Sequence, residues 1–303
     1  YLAMGEYAKA AEDAEKAMQG FTPASIADVS VPGFDDIEAD NWIWGIDITD
    51  AQVSSSGYAT SASWASSFSG DGYAAACGVN MCINNLLYDK IPATDVRKGW
   101  WLDENLHSPN WANLTWGGAK GDEIASLILD DGSKVGFPAY TNIKFGMKSG
   151  IGSTLNNNDW PLMRVEEMIL IQAEGLAKSG NEAKAKQVLE DFVKTYRDPS
   201  YSVSASGRSL ADEIWFQRRV ELWGEGFFVA DARRLGKNIV RFHADKESNL
   251  SDAFQFNISA DDPWLNMRFP QSETDNNKGI VNNTGGSLPE AGQNPGLRDG
   301  VTD

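Results

Sequence analysis

The sequence predicts a mainly α-helical protein in which tetratricopeptide-like helical hairpins support a loop-rich lobe. Three observations predict it. Residues 1–19 and 164–196 both carry apolar side chains at spacings of three and four with a glycine at a turn. A third run of helical spacing begins after Ser209. Residues 21–160, between them, are rich in Ser, Gly, Asn and Trp and show only short strand-like runs such as TWGG and TNIKFG. The chain therefore divides into residues 1–20, the end of a repeat region, residues 21–160, the lobe, and residues 161–303, a helical region with an irregular tail.

In the first segment Tyr7, Ala10, Ala11, Ala14 and Met18 form one stripe after a turn at Gly5. The layout returns in RVEEMILIQAEGLAKSGNEAKAKQVLEDFVKTY. This reads as a helix from near Arg164 to Ser179, a break at Gly180-Asn181, and a second helix whose stripe is Ala185, Val188, Leu189, Phe192, Val193 and Tyr196. The first of these helices is apolar around most of its circumference, leaving Glu167, Glu174 and Lys178 on one polar face, so it should be buried on several sides. Small Ala residues let such helices approach closely, and glycine accepts the left-handed conformation that ends a helix. Ser209 reads as an N-cap ahead of LADEIWFQRRVELW, with Phe216, Val220, Trp223 and Phe227 as the buried stripe until Gly224 and Gly226 weaken it. The tail from Gln271 to Asp303, rich in Asn and Gly, reads as irregular.

With 303 residues the chain can bury a substantial core, and its formal charge of −17, from 26 Lys+Arg against 43 Asp+Glu, makes nucleic acid a poor partner. No apolar stretch approaches the roughly 20 residues of a membrane-spanning helix. Cys77 and Cys82, with His107 and His243, cannot form a four-ligand zinc site of recognisable spacing. A Cys77–Cys82 bridge stays open, two buried thiols being the simpler expectation. Both histidines read as surface residues. The chain begins at Tyr1 inside a helical hairpin and reads as a piece of a longer protein.

Three segments carry a family resemblance. PLMRVEEMILIQAEGLAKSGNEAKA, EIWFQRRVELWGEGFFVADARRLG and RFPQSETDNN are similar, in that order, to the Arg and E-x-x-L-I-x-A-E-A run, the I-x-x-E-R-R-x-E-L-x-x-E-G-x-R-W-x-D-L-x-R run and the late P-x-x-E-x-x-x-N segment of the SusD/RagB family of outer-membrane nutrient-binding lipoproteins. They cover about a third of the chain. Gln217 stands where the family usually has Glu, and FFVADARR at Phe227 to Arg234 replaces the commoner RW-containing version; both departures should weaken a structural ion-pair network. The resemblance implies a SusD-like fold and a lipoprotein on the extracellular face of the outer membrane. It also implies that the protein captures a glycan and sits over a SusC-like TonB-dependent transporter, held by a lipid anchor absent from this chain. It implies no cofactor and no catalysis.

The charged set Arg218, Arg219, Glu221, Glu225, Asp231, Arg233 and Arg234 reads as helical ion pairing, not an acid/base or phosphate site. Asp35, Asp36, Glu38 and Asp40 read as a solvated acidic loop without the register of a calcium motif. The tryptophans are more informative, because seven of the 11 fall between Trp42 and Trp116 and an aromatic ring offers a platform to the C–H face of a sugar. Trp42 and Trp44 alternate in a strand-like run, where at least one should be buried. Trp64, with Tyr58, Phe68 and Tyr73 around it, lies in a Ser/Gly/Ala-rich stretch with nothing periodic to bury it, so Ser54 to Tyr73 is the expected platform. Trp101 and Trp111 follow as candidates, with Arg97, Asn105 and Asn110 as hydrogen-bonding neighbours. Two rival readings remain: a protein-interaction scaffold built on the hairpins, and a glycoside hydrolase using two of the carboxylates.

Overall fold

The computed structural model describes residues 1–54, 63–111, 115–116, 119–120, 126–283 and 285–303. Two compact units are present, Tyr1–Gly224 and Glu225–Asp303.

In the first unit, α1 (Tyr7–Ala17) follows a left-handed turn at Gly5, φ 76°, and buries Ala10, Ala11 and Ala14. The lobe that follows contains β1 (Trp42–Ile46), α2 (Asp50–Ser54), α3 (Tyr73–Ala76) and α4 (Asn85–Tyr88). Three short strands come next, β2 (Thr115–Trp116), β3 (Ala119–Lys120) and β4 (Ser126–Ile128), and then β5 (Lys134–Gly136) and β6 (Trp160–Arg164). All three strand pairs, β1 with β6, β2 with β3 and β4 with β5, are antiparallel. The frame is α5 (Val165–Lys178), α6 (Glu182–Tyr196) and α7 (Leu210–Glu221).

The helices follow the periodicity. Gly180, at φ 89°, turns α5 into α6, and α6 buries Ala185, Leu189, Phe192 and Val193 of its stripe. Ser209 caps α7 by accepting the Asp212 N–H at 3.1 Å. Helix α5 packs against α1, α6 and α7. Close packing on α1 is enforced at Gly175, where a methyl group would meet the Tyr7 carbonyl oxygen at 2.6 Å. Glu174 is buried despite its expected place on a polar face, and Lys178 follows it to 3.3 Å.

The lobe is ordered differently. Its spine is the extended segment 141–147, buried throughout. Leu102 donates to the Thr141 carbonyl, Asn142 to Met81, Ile143 to Trp100, and Gly33 to Lys144, all between 2.8 and 3.0 Å. A second buried strap, Asn156 to Asp159, replaces secondary structure with side-chain hydrogen bonds. Asn156 accepts the Ser63 N–H at 3.2 Å, Asn158 accepts from Lys148 and donates to the Gly146 carbonyl at 2.6 Å, and Asp159 accepts from Ile37, Ile48 and the Lys148 ammonium.

In the β1–β6 pair, register shifts on both sides of Trp44 separate the two tryptophans. Trp42 is buried, and Trp44 is 61% exposed. Alternation alone would have put both rings on one face.

Frame and lobe meet at a buried ionic network. Glu221 accepts from Arg197 at 2.8 and 2.9 Å and contacts Arg97 at 3.3 Å and Arg164 at 3.5 Å, while Glu166 pairs with Arg164 at 2.8 Å and with Arg197 at 3.3 Å. Burial alone would push the Glu221 carboxyl up, and Arg197, Arg164 and Arg97 outweigh it and hold the group well below the usual carboxylate range. Gln217 bridges this network instead of weakening it: its amide oxygen accepts from Arg97 at 2.6 Å, and its nitrogen donates to Glu213 at 2.8 Å. A carboxylate there would face Glu213 across the same short distance.

In the second unit, α8 (Phe228–Leu235) ends at Gly236 and α9 (Gln271–Asn276) opens the tail. Asn257 organises the core, its carbonyl oxygen accepting from Arg241 and Phe242 and its amide donating to the Phe242 and Asn294 carbonyls. His243 is buried, not a surface residue, with Nε2 3.1 Å from the Thr302 carbonyl. The tail is therefore pinned at its end, where Asp299 accepts the Val301 and Thr302 N–H groups at 2.8 Å.

Candidate functional site

The aromatic residues singled out in the sequence do not stand free on a loop. A 3-10 turn, Ser66–Phe68, carries Trp64 and Phe68 inward, held by the Asn156 and Asn158 bonds to Ser63 and Ser66 and by the Asn142 amide on the Phe68 carbonyl at 2.8 Å. Trp64 is half-buried, packed edge-on against Phe68 at 5.9 Å and Phe145 at 6.1 Å between ring centroids. The expectation of a ring without packing partners fails because these hydrogen bonds, not an amphipathic stripe, dock the turn.

A continuous cluster results. Phe68 reaches Phe145 at 5.6 Å and Trp223 at 6.4 Å, Trp223 reaches Trp101 at 5.4 Å, Trp101 meets Trp100 at 6.0 Å, and Phe34 closes onto Trp100 and Phe145 at 5.7 Å each. Phe34, Trp64, Phe68 and Trp223 are half-buried, while Trp100, Trp101 and Phe145 form the buried base. Such edge-to-face pairs contribute about 0.5–1.5 kcal/mol each beyond their area. Gly224, at φ 81°, is required here, since a methyl group on it would meet Phe145 at 2.6 Å.

Beneath the rings lies Lys144, fully buried, its ammonium 4.7–5.1 Å from the centroids of Phe34, Trp100 and Phe145. It donates to the Glu221 and Trp223 carbonyls at 2.8 Å each, and so fastens the turn after α7 to the spine. None of Phe34, Lys144, Phe145 and Trp223 was singled out for the site in the sequence. Trp223 read as helix core, and the rest show no local signal because three separate segments bring them together.

The other candidates divide. Trp101 is 0% exposed, so its ring supports the cluster from within and is closed to a ligand in this conformation. Tyr73, on α3, is half-buried outside the ring cluster, where burial foremost and the neighbouring Cys77 raise its hydroxyl pKa. Tyr58 and the Trp111 side chain lie outside the described residues. Arg97 is fully buried and bonded to Asp95, Gln217 and Glu221, which removes it as a sugar contact. Asn110 is spent on the Val96 carbonyl at 2.7 Å, whereas Asn105 is exposed. Cys77 is exposed and Cys82 half-buried, both free, against the expectation of two buried thiols.

Asp35 is not a solvated loop carboxylate. Burial, with Asp36 and Asp159 behind it, pushes it up to about 6, against the pull of Lys148. Asp71 is fully buried and is also raised, by burial foremost and then by Asp35, and this enclosure keeps it from a substrate. Among the described residues no group of His, Cys, Asp and Glu is arranged to hold a metal ion, and no helix is long and apolar enough to cross a membrane.

The sequence profile of the SusD family matches residues 119–285, more than half of the chain, and the protein belongs to that family. Among solved structures it is similar to a SusD-like carbohydrate-binding protein from Bacteroides vulgatus, with 22% identity, a TM-score of 0.58, and coverage of 90% of this chain and 55% of that one. A SusD superfamily protein from Bacteroides thetaiotaomicron matches with 24% identity, a TM-score of 0.65, and coverage of 93% and 57%. One from Bacteroides fragilis matches with 20% identity, a TM-score of 0.56, and coverage of 92% and 53%. The chain thus spans little more than half the length of these proteins, and at these identities they establish the fold. A search of curated proteins gave no match.

Proposed function

We propose that this protein is a non-catalytic glycan receptor. It captures oligosaccharide or polysaccharide at the extracellular face of the outer membrane for import through a SusC-like TonB-dependent transporter. The observation that carries the reading is the aromatic cluster. Four half-buried rings, Phe34, Trp64, Phe68 and Trp223, rest on a buried aromatic base and are held by a hydrogen-bonded spine, which suits a stacking surface for the flat C–H faces of pyranose rings. Trp64 is the principal ring, and the segment from Ser54 to Tyr73 brings it to the ligand. Residues 21–160 act as the ligand lobe, carried on the frame of α5, α6 and α7.

Family membership supports the carbohydrate class, as does the shared fold of a SusD-like carbohydrate-binding protein. The cell-surface location, the lipid anchor and the transporter partner rest on the family alone. A glycan array run beside a reducing-sugar assay tests the reading, with retention of a glycan and no release of product expected. Product release that a single carboxylate-to-amide change abolishes would make the protein a hydrolase. Retention of no glycan would favour a helical-repeat scaffold.

A further inference from the structure

We infer that the glycan taken by this site is uncharged, and that polysaccharides carrying uronate or sulfate groups are rejected. The inference rests on the glycan-binding reading and narrows it to a substrate class.

An anionic sugar needs a cation within reach, best of all an arginine fork or an ammonium with free donors. The lobe, residues 21–160, has 17 Asp+Glu and only seven Lys+Arg in its sequence. Its cations are largely consumed by the fold. Arg97 is fully buried on Asp95, Gln217 and Glu221, and Lys144, directly under the rings, is fully buried on two main-chain carbonyls at 2.8 Å. Lys98 donates to the Tyr88 carbonyl at 2.6 Å and lies 3.8 Å from the centre of that ring, and Lys148 is held by Asp159 at 2.8 Å with Asp47 at 3.8 Å. Lys90 is half-buried, Lys134, on β5, is exposed, and the seventh, Lys120 on β3, has a side chain outside the described residues. Residues 55–62, 112–114, 117–118 and 121–125 contribute no Lys or Arg.

The carboxylates are disposed the other way. Glu38, Asp40, Asp47, Asp89, Glu104, Asp130 and Asp131 are all exposed. Among the described residues the lobe therefore presents a net negative field, and Lys144, at the rings, and Arg97 are buried and paired, so a polyanion would meet repulsion on approach and no accessible cation at the rings. A neutral sugar suffers neither penalty, and its hydroxyls can donate to those same carboxylates.

The test is a binding comparison on the purified chain, in a chelating buffer so that no divalent cation bridges carboxylates. Neutral α- and β-glucan, mannan and xylan oligosaccharides are set against polygalacturonate, alginate and chondroitin sulfate. At least one neutral probe should bind, with a Kd that changes less than about twofold between low and moderate salt, as expected where ion pairing contributes little. The acidic probes should not be retained, and Trp64→Ala should weaken the neutral interaction about fivefold or more. An acidic probe bound more tightly than every neutral one would overturn this inference and leave the glycan-binding reading standing. Retention of no probe of either kind would overturn both.

Discussion

Replacing Glu221 by alanine removes the one carboxylate that three buried guanidinium groups have in common. Arg97, Arg164 and Arg197 are each at most 1% exposed, so water does not take over the lost contacts. Each keeps something: Arg97 retains Asp95 and Gln217, Arg164 retains Glu166, and Arg197 retains Glu166 with the Ala24 and Tyr196 carbonyls. Breaking a buried ion pair costs about 3–5 kcal/mol, and the surviving partners put this case in the lower half of that range. For a unit of this size each kcal/mol lowers Tm by roughly 2–4 °C, so a fall on the order of 10 °C is expected. Urea unfolding followed by tryptophan fluorescence measures the free energy, with Lys194→Ala, which removes the exposed i,i+4 pair with Glu190, as a control worth about 0.3–0.5 kcal/mol. A Glu221→Ala loss below about 1 kcal/mol would show that the network behaves as a surface pair does, and would refute the view that it joins frame to lobe.

Two further outcomes are expected. Trp64→Ala should weaken glycan binding by roughly 1–3 kcal/mol and, because its ring packs on Phe68 and Phe145, also lower stability by about 1–2 kcal/mol; unchanged affinity in a folded variant would remove Trp64 from the site. The pH dependence should carry the signature of Asp35, whose raised folded-state pKa makes its contribution largest below the ordinary Asp value and lost as pH rises through about 6. Unfolding midpoints at about pH 5 and pH 7.5 should therefore differ less in Asp35→Asn than in the wild type, and identical pH dependence in the two would show that the Asp35 environment is wrongly assigned.

Much of the frame was legible in the sequence because a helix is a local object. The stripes around Ala11 and Leu189, the turn glycines at Gly5 and Gly180 and the cap at Ser209 act within a few residues of themselves, and each occurs where the spacing predicts. The family motifs were legible for the same reason. The lobe was not, because its order depends on partners far apart in the chain. Asn156 and Asn158 dock the turn at Ser63 and Ser66 from some 90 residues away, which turned an expected free-standing platform into a packed cluster. Register shifts in β1, invisible to alternation, sent Trp42 inward and Trp44 outward. Arg97 read as a hydrogen-bonding neighbour of a sugar until Glu221, 124 residues later, claimed its charge. Composition and periodicity indicated the long helices α1, α5, α6 and α7 and how acidic the protein is, but not the short helices α2, α3, α4 and α9. Only tertiary structure decided which rings face solvent and which cations are spent, because a long-range hydrogen bond leaves no periodic trace in the residues that make it.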